Sequence, residues 1–219
     1  MSELLAELVI QKTEEFVKDS LEGDSGHDWW HIHRVRNTAL TLAKEEGVNE
    51  LVVELAALLH DIADHKFHGG DELLGARVAK KWLRNFPIPE TTTNHICEII
   101  AHISFKGAGV STPMETIEGQ IVQDADRLDA IGAIGIARAF SYGGFRHREM
   151  YNPDIPPVMH SSFEAYKNSK GHTINHFYEK LFLLKDRMNT SSGKKMAEER
   201  HHFMVEYVER FKNEWKGLH

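Results

Sequence analysis

The tetrapeptide Leu58-Leu59-His60-Asp61 closes a strongly apolar stretch that begins at Leu51. An imidazole and a carboxylate at the inner end of such a helix are costly unless they pair with each other or share a bound cation. Either arrangement satisfies the dipeptide taken alone. His31 adds a second piece. It lies four residues before Val35, eight before Ala39 and eleven before Leu42, which places it on the buried stripe of its own helix. A single His there would be an ordinary core residue. With a second apolar helix ending in His-Asp a short connection away, two imidazoles and a carboxylate can converge. A third segment, Gln123-Asp124-Ala125-Asp126-Arg127-Leu128-Asp129, sets three carboxylates among Ile121, Val122, Leu128 and Ile131. These could be a solvated face, but the apolar flanks argue that part of the helix is buried. Spacing alone leaves Asp124, Asp126 and Asp129 all open. Two His and two Asp suit Mn²⁺, Fe²⁺, Co²⁺, Ni²⁺ or Zn²⁺, and a single cysteine, Cys97, removes any thiolate site or intramolecular disulfide. A cation held this way lowers the pKa of a bound water and polarises a phosphorus centre.

Other polar groups stand near these in sequence. Asp64, His65, Lys66 and His68 follow the His-Asp pair in a polar loop. Asp64 has the chemistry of a general base, Lys66 that of a phosphate clamp and His65 that of a substrate contact; a solvated loop is the plain alternative. His102 ends an apolar helix and Lys106 follows it, a candidate acid–base group and phosphate contact. Arg127 either binds phosphate or balances the acidic cluster. Asp28 reads as a helix cap, with His27 supporting the site from behind. Gly143-Gly144-Phe145-Arg146-His147-Arg148 combines forked cations with a stacking face, which suits a nucleotide and also suits a surface loop. Cys97 reads as a small buried residue.

The elements that must position these groups are helical almost throughout. Leu4, Leu5, Leu8, Val9 and Phe16 mark one face of a first helix, broken by glycines at 23–26. A second carries Val35, Ala39, Leu42 and Ala43 and ends near Gly47. Asn49 caps a third, over about 50–60. A turn at Gly69-Gly70 leads to a fourth, which ends near Phe86 before Pro87 and Pro89. A fifth covers about 91–104, and 106–113 is a loop. One helical segment then runs through Ile121, Val122 and Leu128 into Ile136 and Phe140. Residues 143–162 look irregular, and two helices close the chain, about 172–188 and 192–215. No strand alternation and no internal repeat is visible. The expected fold is all-α, a single bundle-like domain over 1–219, with a metal-binding core at about 27–130 and C-terminal helices 172–216 packed on it.

Composition narrows the class. Of 219 residues, 41% are hydrophobic, enough for a sizeable core, and the formal net charge of -7 argues against a nucleic-acid binder. The longest apolar run, Leu55 to Leu59, is far too short to span a membrane. No basic region followed by an apolar stretch opens the chain, so the expected location is the cytoplasm. Fifteen histidines are a rich allotment, part of it attributable to chemistry.

The three ordered segments His31-Ile32-His33-Arg34-Val35, Leu59-His60-Asp61-Ile62 and Asp124-Ala125-Asp126-Arg127-Leu128-Asp129 resemble the H…HD…D motifs of HD-domain phosphohydrolases. Gly26-His27-Asp28-Trp29-Trp30, the run Asn175-His176-Phe177-Tyr178-Glu179-Lys180-Leu181 and Met188-Asn189-Thr190 resemble one bacterial subfamily of stand-alone HD hydrolases. The likeness covers nearly the whole chain. It implies an all-α fold and a mononuclear site of His31, His60, Asp61 and Asp126; the resemblance, not the spacing, selects Asp126. It also implies hydrolysis of phosphate esters or anhydrides on nucleotides, with manganese first among the metals and cobalt, nickel, iron, magnesium or zinc as alternatives. Similar members are linked to pyrophosphate release from nucleoside triphosphates. Binuclear branches add histidines on following helices, and residues 69–94 contain none here, which favours one ion.

The expected activity is therefore pyrophosphate release from (deoxy)nucleoside triphosphates, acting on a small phosphate-containing partner, with no nucleic acid and no membrane, in a chain of a size that often forms homodimers. A 5′-nucleotidase is the alternative within the class. A diiron oxygenase and a non-catalytic nucleotide-sensing module are the alternatives outside it.

Overall fold

The computed structural model describes residues 2–21, 28–63, 73–103, 112–159 and 171–219. Among these residues the fold is all-α, as expected, with no strand. The chain divides into two compact units, and the division falls inside a helix, after Ala125.

The first unit is built around its most apolar helix. The helices are α1 (Glu3–Ser20), α2 (Trp29–Glu46), α3 (Glu50–Leu59), α4 (Leu74–Leu83) and α5 (Glu90–His102), followed by the larger part of α6 (Ile117–Asp129). Every α3 residue from Val52 to Leu59 is buried, and α1, α2 and α5 pack around it. A helix apolar on all sides must be covered on all sides. The one acid in that run, Glu54, is satisfied by Arg36, whose Nε and Nη2 reach Oε1 at 2.7 and 2.5 Å. Arg36 also reaches Glu14 on α1 at 3.2 Å, so one guanidinium links α1, α2 and α3. Phe16 stacks on Trp82 of α4 at 4.1 Å, and the Trp82 indole N–H donates to Thr13 at 3.0 Å. The start of α6 is held by side-chain amides: Gln120 donates to the Met114 carbonyl at 2.9 Å and Gln123 to that of Thr112 at 3.2 Å.

The second unit takes the end of α6, then α7 (Gly132–Phe145), α8 (Thr173–Glu179), two short 3₁₀ turns (Leu181–Leu183 and Lys185–Arg187) and the long α9 (Ser191–Trp215). Phe140, Phe177, Tyr207 and Phe211 form its aromatic core, with successive ring centroids near 6 Å. Residues 149–158 are strapped to α8. Thr173 N–H donates to the Glu149 carbonyl, His172 and Asn175 both donate to that of Ile155, and Glu179 accepts the Val158 N–H.

Four local expectations change. Leu4 and Leu8 are largely exposed, and the buried face of α1 is Val9, Thr13 and Val17. The helix expected to run unbroken from Ile121 to Phe140 breaks at Ala130-Ile131, because Gly132 takes a φ of +74°. The segment expected to be irregular from 143 is helical to Phe145. The expected helix 172–188 stops at Glu179 and continues as 3₁₀ turns. Asn49 stands at the N-cap of α3 but makes no side-chain cap bond. The glycine turns expected at 23–26 and 69–70 lie outside the described residues.

The break after α6 is tight enough to forbid a methyl group: a Cβ on Gly135 would collide with the Ala130 carbonyl, whereas one on Gly144 would meet nothing within 4 Å. Gly135→Ala is therefore expected to destabilise the protein by more than about 2 kcal/mol. Gly144→Ala should be neutral or stabilising by about 0.5 kcal/mol. Urea denaturation followed by circular dichroism separates the two.

Candidate metal centre

Two helix ends bring the imidazoles together. Asp28 caps α2 by accepting the His31 N–H at 2.9 Å, which fixes the first turn of the helix where His31 stands. His31 is 2% exposed and His60, one residue past α3, is 6% exposed. Their Nε2 atoms lie 3.2 Å apart. The Asp61 carboxylate completes this corner at 3.5 Å from the His31 Nε2 and 3.7 Å from that of His60. A ligand atom of the Asp126 carboxylate, one helical turn from the end of α6, lies within 4.8 Å of those of His31 and His60.

The donor chemistry fits a divalent cation. His60 Nδ1 lies 2.7 Å from the Ala57 carbonyl. A carbonyl only accepts, so Nδ1 carries the hydrogen and Nε2 of the neutral ring turns its lone pair towards His31. Two imidazoles on one ion with bonds of about 2.1 Å hold their nitrogens about 3.0–3.4 Å apart, which brackets the observed spacing. Nitrogen and carboxylate donors without thiolate suit manganese, iron, cobalt, nickel or zinc.

The neighbouring acids divide. Asp129 is 4% exposed and its carboxylate is held by Arg138 at 2.5 Å. Asp124 is fully buried. Asp126, half-buried, is the member of the segment with a carboxylate oxygen within 4.8 Å of the two histidine nitrogens.

His27, Asp64, His65, Lys66, His68 and Lys106 lie outside the described residues. His102 is exposed at the end of α5, and its Nδ1–H donates to the Glu98 carbonyl at 2.9 Å, leaving Nε2 as the accepting nitrogen. Arg127 is 6% exposed and its guanidinium donates to the Arg187 carbonyl. Arg146 and Arg148 both stand with Cζ 5.9 Å from the centre of the Tyr142 ring, so one aromatic ring neighbours two cations at the end of α7. Cys97 is buried, and burial raises its thiol pKa.

Trp29, Trp30 and His176 belong to the runs that carry the subfamily likeness, with no role assigned to them from the sequence. Trp29 and Trp30 both touch the His33 ring, at 5.9 and 5.8 Å, and Trp30 is 61% exposed. Their place beside the His31 motif was the available signal. His176 lies close enough to Arg148 and Lys180 to feel their charges. Burial first, then those two cations, push its pKa down to about 3.

The HD domain family matches residues 29–131. The chain is 37% identical to an uncharacterised Bacillus subtilis protein, YpgQ, over 196 residues, 89% of this chain and 87% of YpgQ. The crystal structure of an HD-superfamily hydrolase from Bacillus thuringiensis superposes with a TM-score of 0.78 at 44% identity, covering 96% of this chain and 98% of the other. The structure of Bacillus subtilis YpgQ in complex with ADP superposes with a TM-score of 0.72 at 32% identity, covering 94% and 97%.

A histidine held neutral in the fold takes up its proton only on unfolding, so His176 opposes folding below the ordinary imidazole pKa of about 6.5. The penalty begins as pH falls through 6.5 and is complete near 3, reaching up to about 2 kcal/mol at pH 5. His176→Gln is expected to flatten this part of the stability–pH profile, read as Tm between pH 7.5 and 5.

Proposed function

We propose that this chain, which belongs to the HD domain family, is a metal-dependent phosphohydrolase that acts on nucleotides and releases pyrophosphate from nucleoside triphosphates. The family supports the hydrolase class. The observation that carries the reading is the convergence of His31, His60 and Asp126, joined by Asp61. These four residues are the proposed ligands of one divalent ion, with manganese first and cobalt, nickel, iron, magnesium or zinc as alternatives. The complex of the relative YpgQ with ADP supports a nucleotide as the ligand class.

When bound, a divalent cation in this donor set lowers the pKa of a coordinated water and draws charge from a phosphoryl oxygen. The protein supplies the rest. Ala57 fixes the His60 tautomer so that its lone pair faces the ion. Asp28 holds the turn that presents His31. His102, with Nε2 open as a base, is a candidate to relay the proton. Arg146 and Arg148 are candidates to take up phosphate charge, and Arg127 is kept as a substrate candidate beside Asp126. Asp64 and Lys66 remain proposed as base and phosphate clamp, with His65 and Lys106 as phosphate contacts. No described helix is long and apolar enough to cross a membrane; the proposed setting is the cytoplasm, and the proposed assembly a homodimer without nucleic acid.

Incubation with Mn²⁺ and a panel of nucleoside mono-, di- and triphosphates, resolved by ion exchange, tests the reading. The expected products are nucleoside monophosphate and pyrophosphate. Loss of a metal-site interaction removes several kcal/mol of transition-state stabilisation, so His60→Ala is expected to lower kcat/KM by at least about a hundredfold. A chelator should abolish turnover and added Mn²⁺ restore it. Nucleoside and inorganic phosphate as products would replace the reaction with that of a nucleotidase, and no turnover of any nucleotide would overturn the substrate class.

A further inference from the structure

Asp126 stands on the last turn of α6, where a helix is least constrained by its own hydrogen bonds. This last turn is nevertheless tied down from several sides within the second unit. The Leu128 carbonyl accepts the Ile131 N–H at 3.2 Å and, in addition, Nη1 of Arg200 on α9 at 2.5 Å. Arg138 on α7 reaches both the Asp129 carbonyl, at 3.3 Å, and its carboxylate, at 2.5 Å. Two guanidiniums thus sit on the negative end of the α6 dipole.

Arg200 does more than donate. Its side chain lies flat over the turn that follows α6, where a Cβ on Gly132 would stand 3.0–3.2 Å from Arg200 Cγ, Cβ and Cδ. The left-handed backbone of Gly132, at φ +74°, is what lets the chain reverse beneath that stem. The stem fills the space above the turn, and the head reaches past it to the end of α6.

We infer that Arg200 is a positioning residue for the metal centre: by packing over Gly132 and donating to the Leu128 carbonyl, it holds the last turn of α6 so that the Asp126 carboxylate stays at the distance and azimuth a ligand needs. This rests on the reading of Asp126 as a ligand given above. Metal–oxygen bonds tolerate displacements of only about 0.2 Å, so a helix end free to fray would lose the carboxylate before it lost the fold. Arg138 supports the same turn and keeps Asp129 occupied, leaving Asp126 without a competing carboxylate from that residue.

The test is a calorimetric titration of the full-length protein with Mn²⁺, paired with thermal melting of the metal-free protein. Arg200→Met keeps the apolar stem over Gly132 and removes the donor; it is expected to weaken Mn²⁺ binding about tenfold. Arg200→Lys retains a donor and should stay within about threefold of wild type. Val208→Ala, a core truncation on the same helix at a buried site, controls for lost stability and should leave Mn²⁺ affinity unchanged. Equal affinity in wild type and Arg200→Met overturns the inference. So does a loss in Val208→Ala as large as that in Arg200→Met, because the effect would then follow stability. If wild type and Asp126→Asn bind Mn²⁺ equally, the metal reading fails and this inference falls with it.

Discussion

Two imidazole nitrogens 3.2 Å apart in a nearly dry setting need something positive between them. Lone pairs that face each other at that distance repel, and a proton or a cation removes the repulsion. The Ala57 carbonyl already claims one hydrogen of His60 at the opposite nitrogen, which leaves the inner nitrogens to share either one hydrogen or, together with the Asp61 carboxylate, a bound cation. Much of the surrounding structure serves this requirement. An apolar α3 must end at His60, Asp28 must cap α2 at His31, and an otherwise buried stretch of α6 must carry Asp126. Each is a local cost: a polar group at the end of an apolar helix, or a carboxylate among aliphatic side chains. Their convergence offsets the cost in the proposed site, where each donor would partner the same ion.

The histidine part of this centre was legible in the residues because helical period and helix-end position determine where a side chain points. His31 could be placed on a buried stripe by counting from Val35, Ala39 and Leu42, and all three prove buried. The acidic part was not legible in the same way. Three carboxylates within six residues cover more than a full helical turn, so period alone gives each a claim. The structure separates them through partners that lie far away in sequence: Arg138 takes Asp129, and only distance to His31 and His60 marks Asp126. Long-range pairing is the information a local pattern lacks.

The fold shows the same division. Capping by Asp28 and the stop at Gly47 were readable because each rests on one residue's own chemistry. The break between α6 and α7 was missed because Ile131 and Ile136 continue an apolar period through it, while the signal, a left-handed Gly132, looks in sequence like any tolerated helix glycine. The first helix misled in the opposite direction. Leu4 and Leu8 have the composition of a core and stand in solvent, since the α1 surface that meets α3 is centred on Val9, Thr13 and Val17.

The burial of α3 on every side also bears on how the chain is made. Its covering helices do not emerge together. The first two precede it during synthesis, but α5 begins about thirty residues after α3 ends and is complete only at His102. At a translation rate of about 5–20 residues per second, the apolar face that α5 will close stays open to water for roughly 2 to 9 seconds. During that interval the growing chain carries a sticky, half-roofed helix, and its yield depends on how well α1 and α2 shield it until the last cover arrives.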